Sequence, residues 1–244
     1  MVPRTVKVLL VLFLCALSGL AGGRAEKSIL GSPLLPVPPS PTMVPLRDAL
    51  SQIGLHVQAN YVVFGIELEV DKDGEPKVFL AVEENEKLQD ALKRTFQQIP
   101  AYSFQVVGGH LVNVYPVGAK ENPRDPLNLR VSRFDVTNVP PGNILSHPQD
   151  YIPELEGFFP GEKERRSSFG RGLGDTGPGV TLHLQNVTVR QILNSISRAT
   201  EEFPASYSPY GWVCQFRPDR SSPVGGVLSC AVQLSAPSGW KGLP

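Results

Sequence analysis

The stretch "VTLHLQNVTVRQILNSISRAT", Val180–Thr200, changes its period partway along. "VTLHL" alternates apolar and polar side chains, as a half-buried strand does. From Val189 onward the apolar residues recur at helical spacing: Val189, Ile192, Leu193, Ile196, then Ala199 and Thr200. Thr188 stands where a helix N-cap belongs, and Gln191 three residues later completes a capping box. The same order occurs earlier in "VFLAVEENEKLQDALKRTFQQIP", Val78–Pro100. Its helix carries Leu88, Ala91, Leu92, Thr95, Phe96 and Ile99 on one stripe, and Pro100 ends it. Leu88, Ala91, Leu92 and Thr95 match Val189, Ile192, Leu193 and Ile196 at a constant offset of 101 residues. The spacing therefore predicts a unit present twice.

Flanking segments extend the match. "LRDALSQIGLHV" reads as a helix stopping near Gly54, and "YVVFGIELEV" as a strand. "DKDGEP" reads as a turn and "KVFLAV" as a second strand. "AYSFQVVGGHLVNVYP" is a predicted hairpin turning at Gly108-Gly109. In the later copy "RFDVTNV" is a strand, and "SYSPYGWVCQF" is expected to turn back around Pro209, Tyr210 and Gly211. The predicted fold class is α+β: two tandem small domains, each with helices packed on one face of its own short mixed sheet.

The 244-residue chain opens with "MVPRTVK", basic and without an acid, followed by the apolar run Val8–Gly22 and the small residues of "GGRA". This reads as a signal peptide over residues 1–25, cut after Ala25, with an uncleaved anchor as the alternative. No later run reaches the eighteen apolar residues of a span, so no membrane span is expected after signal removal. Without Arg4, Lys7 and Arg24 the remaining chain has 20 bases against 23 acids, which supplies no basic stripe for nucleic acid. Two cysteines remain, Cys214 and Cys230. Each lies on the apolar face of an alternating segment, Trp212/Cys214/Phe216 and Leu228/Cys230/Val232, and an even pair in an exported chain predicts a disulfide.

The 24 prolines and 23 glycines cluster and mark boundaries. Residues 26–45 read as a proline-rich spacer, with six prolines between Gly31 and Pro45 and an extended reach of roughly 45 Å. The first domain is predicted at 46–117, a polar linker at 118–130, and the second domain at 131–218 with a loop insertion at about 157–179. A C-terminal strand and tail follow at 219–244.

"LRDALSQIG", followed by a strand, a polar turn, a helix of the form "VTVRQILNSI" and a hairpin, resembles the short N-terminal domain of secretins and TonB-dependent receptors. The resemblance covers Leu46–Tyr115 and, with an insertion, Phe134–Arg217, through degenerate apolar motifs. It implies two copies of a compact docking domain in the bacterial envelope, without catalysis and with an envelope protein as partner. The family's barrel or pore region has no counterpart here, which leaves an exported, periplasmic or secreted adaptor or sensor as the expected function.

Sites for chemistry are sparse. "GLGDTG", Gly172–Gly177, has dinucleotide-fingerprint spacing but lies before a strand rather than between strand and helix. "DKDGE" lacks the further oxygen ligands of a calcium loop. His56, His110, His147 and His183 are far apart, and no cofactor or metal is expected. "NVT" at Asn186 is a formal glycosylation sequon. In "EKERRSSFGR", Arg165, Arg166 and Arg171 are candidate partner-binding residues, since guanidinium forks suit carboxylates or phosphates. Two alternatives stay open: a secreted enzyme or enzyme subunit with its site in the 157–179 loop, and a cell-wall-binding module using Tyr207, Tyr210 and Trp212 as an exposed platform.

Overall fold

A computed structural model describes residues 29–58, 61–72, 74–159, 178–204, 207, 209–219 and 224–234. In chain order the strands are β1 (Val44–Pro45), β2 (Val63–Glu69), β3 (Lys77–Val78), β4 (Tyr102–Gly108), β5 (Leu111–Pro116), β6 (Arg130–Val139), β7 (Val180–Thr188), β8 (Tyr210–Pro218) and β9 (Gly226–Leu234). The helices are α1 (Leu46–Leu55), α2 (Leu88–Gln97), α3 (Pro141–Ser146) and α4 (Val189–Thr200). The α+β class expected from the sequence is the one observed.

The principal sheet has the order β4-β5-β2-β8-β9. β2 pairs in parallel with β5 on one side and with β8 on the other, while each outer pair is an antiparallel hairpin. The halves thus do not close separate sheets, and the expected arrangement of two tandem domains with a sheet each is replaced by one sheet drawn from both. The physical reason is the second edge of β2, which the first unit leaves open after pairing it with β5. β1 pairs with β3 as β6 pairs with β7, but β2 has no counterpart between α3 and β7 among the described residues. The later hairpin completes its hydrogen bonding on β2 instead.

Two cores lie on the two faces of this sheet. Phe64, Ile66, Val112, Val114 and Val213 face α1 and α2, whose stripe of Leu88, Ala91 and Leu92 is buried among them. Trp212, Cys214 and Leu228 point the other way, toward Val189, Ile192, Leu193 and Ile196 of α4. The capping box of Thr188 and Gln191 starts α4 as predicted, with Thr188 Oγ1 accepting from the Gln191 amide at 3.2 Å. The β6–β7 ribbon packs Val131, Phe134, Val136 and Val180 into the second core. Gly65 is required by close approach: a Cβ there would lie 2.5 Å from both the Trp212 ring and Asn113 Oδ1.

Both expected linkers are built into the fold. Within the proline-rich segment, the residues between the prolines still carry amides, and these are used. Leu34 donates to Glu86 at 2.8 Å, and Val37 and Val82 exchange hydrogen bonds at 3.0 and 3.1 Å. Leu34 is buried in the first core, so residues 29–45 are a strap and not a free spacer. Residues 118–130 make two 3-10 turns, Ala119–Glu121 and Pro126–Asn128, with Ala119 and Leu127 buried. Asn128 Nδ2 donates to the carbonyls of Ala119 and Asn122, both at 2.7 Å, satisfying a polar segment internally. The expected turn at Pro209–Gly211 is also corrected. Tyr210–Pro218 runs as one strand, and its hairpin partner is β9 in the segment assigned to a C-terminal strand. The predicted signal peptide and tail residues 235–244 lie outside the described residues.

A shared sheet makes unfolding cooperative. Leu92→Ala and Leu193→Ala should each cost about 2–5 kcal/mol, the usual range for a buried leucine truncation. Either substitution should shift one transition, seen coincidently by far-UV circular dichroism and by tryptophan fluorescence. Two separable melts, each moved by its own substitution, would restore independent domains.

Candidate functional site

The parallel strands β2, β5 and β8 end along one margin of the sheet, and crevices beyond carboxyl ends of parallel strands are recurrent ligand positions. Here the chain leaving β5 arches over that margin through residues 117–128. It encloses a cavity of about 210 Å³ against the ends of β2, β8 and β9. Its lining combines the acids Glu67, Glu69 and Asp125 with the apolar side chains Val117, Phe216 and Leu228. A second hollow of about 520 Å³ adjoins it through Glu69, Pro116 and Val117, and adds Asp71, Glu75 and Tyr102.

The inner end of the cavity is an ion-pair network between the two halves. Glu67 lies on β2 and Arg190 in the first turn of α4, with 4% and 7% of their surfaces exposed. Arg190 Nη2 donates to Glu67 Oε2 at 2.8 Å, and its Nε reaches Glu67 Oε1, which makes the contact bidentate. The same guanidinium contacts Asn128 Oδ1 and lies 3.3 Å from Asp125 Oδ2. Burial lifts the Glu67 carboxyl above its ordinary range, against the pull of Arg190. Burial also raises Asp125, opposed by the Leu127 amide and Arg190 and assisted by the like charge of Glu69. At the outer end, the Tyr102 hydroxyl accepts from the Glu69 amide at 3.0 Å, and burial pushes its pKa up to about 12. Burial raises Glu75 as well, although Arg47 contacts it at 3.2 Å.

The predicted cysteine pair is joined. Cys214 and Cys230 are directly opposite in the β8–β9 register, with Cα atoms 4.2 Å apart, and Cys214 lines the cavity. That is the close spacing of a non-hydrogen-bonded antiparallel pair. Arg165, Arg166 and Arg171, the "GLGDTG" segment and most of the 157–179 loop lie outside the described residues. The aromatic platform is not formed. Trp212 is fully buried and donates from Nε1 to Asn194 Oδ1 at 3.2 Å, while Tyr210 is half-buried. Among the histidines, His110 Nδ1 lies 3.3 Å from Glu201 and His183 Nδ1 lies 2.9 Å from Asp135, in separate places. Among the described residues, no three His, Cys, Asp or Glu side chains converge as a metal site, and no helix is long and apolar enough to cross a membrane. Within "DKDGE", the Gly74 amide donates to the Asp71 carbonyl at 3.2 Å, with Gly74 at φ 94°.

Glu67 and Arg190 escaped the sequence reading. The available signal was an acid inside the apolar run "VVFGIELEV", since a carboxylate there needs a buried partner. No protein-family model, curated protein or solved structure matches the chain.

Removing one member of the buried pair strands the other charge. Arg190→Met should destabilise by about 3–5 kcal/mol, and adding Glu67→Leu should restore much of that in urea denaturation. The single variant's deficit should shrink as pH falls, because Glu67 then takes up a proton. Reducing Cys214–Cys230 should cost about 3 kcal/mol, the loop-closure value for about 15 residues. A melting point unchanged by reductant, with both thiols shown to be free, would contradict this.

Proposed function

We propose that this chain is a non-enzymatic exported protein of the bacterial envelope that docks a partner protein, as an adaptor or sensor. The reading treats its two similar units as relatives of the short N-terminal domains of secretins and TonB-dependent receptors, fused here through one sheet. The observation that carries it is the open cavity over the carboxyl ends of β2, β5 and β8. Its rim holds Val117, 65% exposed, beside the exposed Glu69. An apolar side chain held out next to a charge suits contact with another macromolecule. The bonded cysteine pair fits an oxidising compartment, periplasmic or extracellular.

The test is recovery of the native protein from the envelope fraction after chemical cross-linking. Its mature mass should begin at Glu26, and a discrete heteromeric species should form with one other envelope protein. A chain retaining Met1, or one that cross-links to nothing above a bead control, would count against this function.

A further inference from the structure

We propose that the cavity at the carboxyl ends of β2, β5 and β8 takes a partner segment bearing a lysine or arginine flanked by apolar residues. This rests on the protein-docking reading and specifies the chemistry of the partner.

The charges that line the cavity do not balance. Glu67, Glu69 and Asp125 line it, and the nearest paired cation, Arg190, is held behind Glu67 and Asp125. Arg190 is committed to Glu67 through two hydrogen bonds and shared with Asp125. Among the described residues the Glu69 carboxylate makes no ion pair. The arch itself carries two cations, and neither pairs with Glu69: the Lys120 Nζ lies 4.0 Å from the centroid of the Tyr115 ring and contacts Gln105, and Arg124 is exposed. Arg47 serves Glu75 and Asp48 at the far side of the adjoining hollow. A cationic side chain entering the cavity therefore meets a carboxylate that is not already held in an ion pair among the described residues.

The walls specify the rest of the occupant. Val117, Phe216 and Leu228 form apolar surface beside Glu69, so the incoming group needs an apolar stem under its charge. Lysine and arginine have that construction, with methylenes that pack on apolar surface while the head group reaches outward. A cavity of about 210 Å³ lies below the roughly 300–1,000 Å³ typical of small-molecule pockets, and is of side-chain scale. The adjoining hollow, carrying Asp71 and Glu75, lies where neighbouring residues of an extended segment would run. Charge pairing at an exposed carboxylate of this kind is weakened by salt.

The experiment uses the full mature chain against a displayed library of random decapeptides. Selection should enrich peptides with a lysine or arginine between apolar residues. A labelled representative should bind about tenfold more weakly to Glu69→Gln, equivalent to about 1.4 kcal/mol, and more weakly to Val117→Ser, with both variants melting like the parent. Acetylating or replacing the basic residue should remove binding. No enrichment, enrichment without a basic residue, or equal binding by Glu69→Gln overturns the assignment. The envelope cross-link separates the two readings. A partner captured equally by parent and Glu69→Gln keeps the adaptor function and rejects this cavity as its docking site. Absence of any partner removes the function itself.

Discussion

Between β5 and β8, the strand Val63–Glu69 gives both of its edges to parallel neighbours and both of its faces to packed side chains. Six of its seven residues are buried. A strand in that position cannot follow the in–out alternation of a sheet with one wet face. Phe64, Ile66 and Leu68 supply the first core, while Val63, Gly65 and Glu67 project beneath the second half. Gly65 leaves room for the Trp212 ring, and Glu67 anchors α4 through Arg190. One segment of the first half thus sets the position of the second half's hairpin and the second half's helix.

Burying Glu67 is costly by itself, since a carboxylate removed from water loses several kcal/mol of solvation. The fold offsets this with a bidentate guanidinium, which makes two further contacts to Asn128 and Asp125. Those two residues belong to the segment between the repeats. It is therefore fixed by the same network and becomes a wall of the cavity. Replacing such a network by apolar side chains can leave stability unchanged. What an apolar substitute could not do is hold the arch of residues 117–128 in one register above the ends of β2 and β8.

How much of this could be read in advance depends on the range of the interaction. α2 and α4 were legible because a 3.6-residue stripe and a capping box are local patterns, and the buried residues are those of the stripe. The cysteine pairing was legible because alternation placed both thiols on apolar faces. Strand partnership was not, because nothing local in "YVVFGIELEV" names β8, some 145 residues later, as its neighbour. The near-continuous apolar run fits a strand buried on both faces, which the expectation of a sheet covered on one face leaves unused. Such a strand needs a neighbour on each side, and the first unit supplies only β5. The proline-rich strap was misjudged for a related reason: prolines lack donors, but the amides of Leu34 and Val37 between them were free to pair. Of the candidate site, alternation in the sequence reaches only Cys214, Phe216 and Leu228, on apolar strand faces. Glu67, Glu69, Asp125 and Val117 meet only once the sheet is assembled from both halves.

That assembly also ties the cavity to the junction between the halves. Glu69 belongs to β2, Asp125 and Val117 to the connecting arch, and Phe216 and Leu228 to the second hairpin. Arg190 links the cavity to the first turn of α4. At the far end of α4, Glu201 contacts His110 at the start of β5, so the helix is held at both ends to the first half. The disulfide binds β8 to β9 beside the cavity floor, which opposes separation of those two strands. Glu69 and Asp125 oppose each other as like charges across the cavity, and Asp125 in turn contacts the guanidinium that joins the halves. The cavity lining and the contact that holds the halves together thus share two side chains, Glu67 and Asp125.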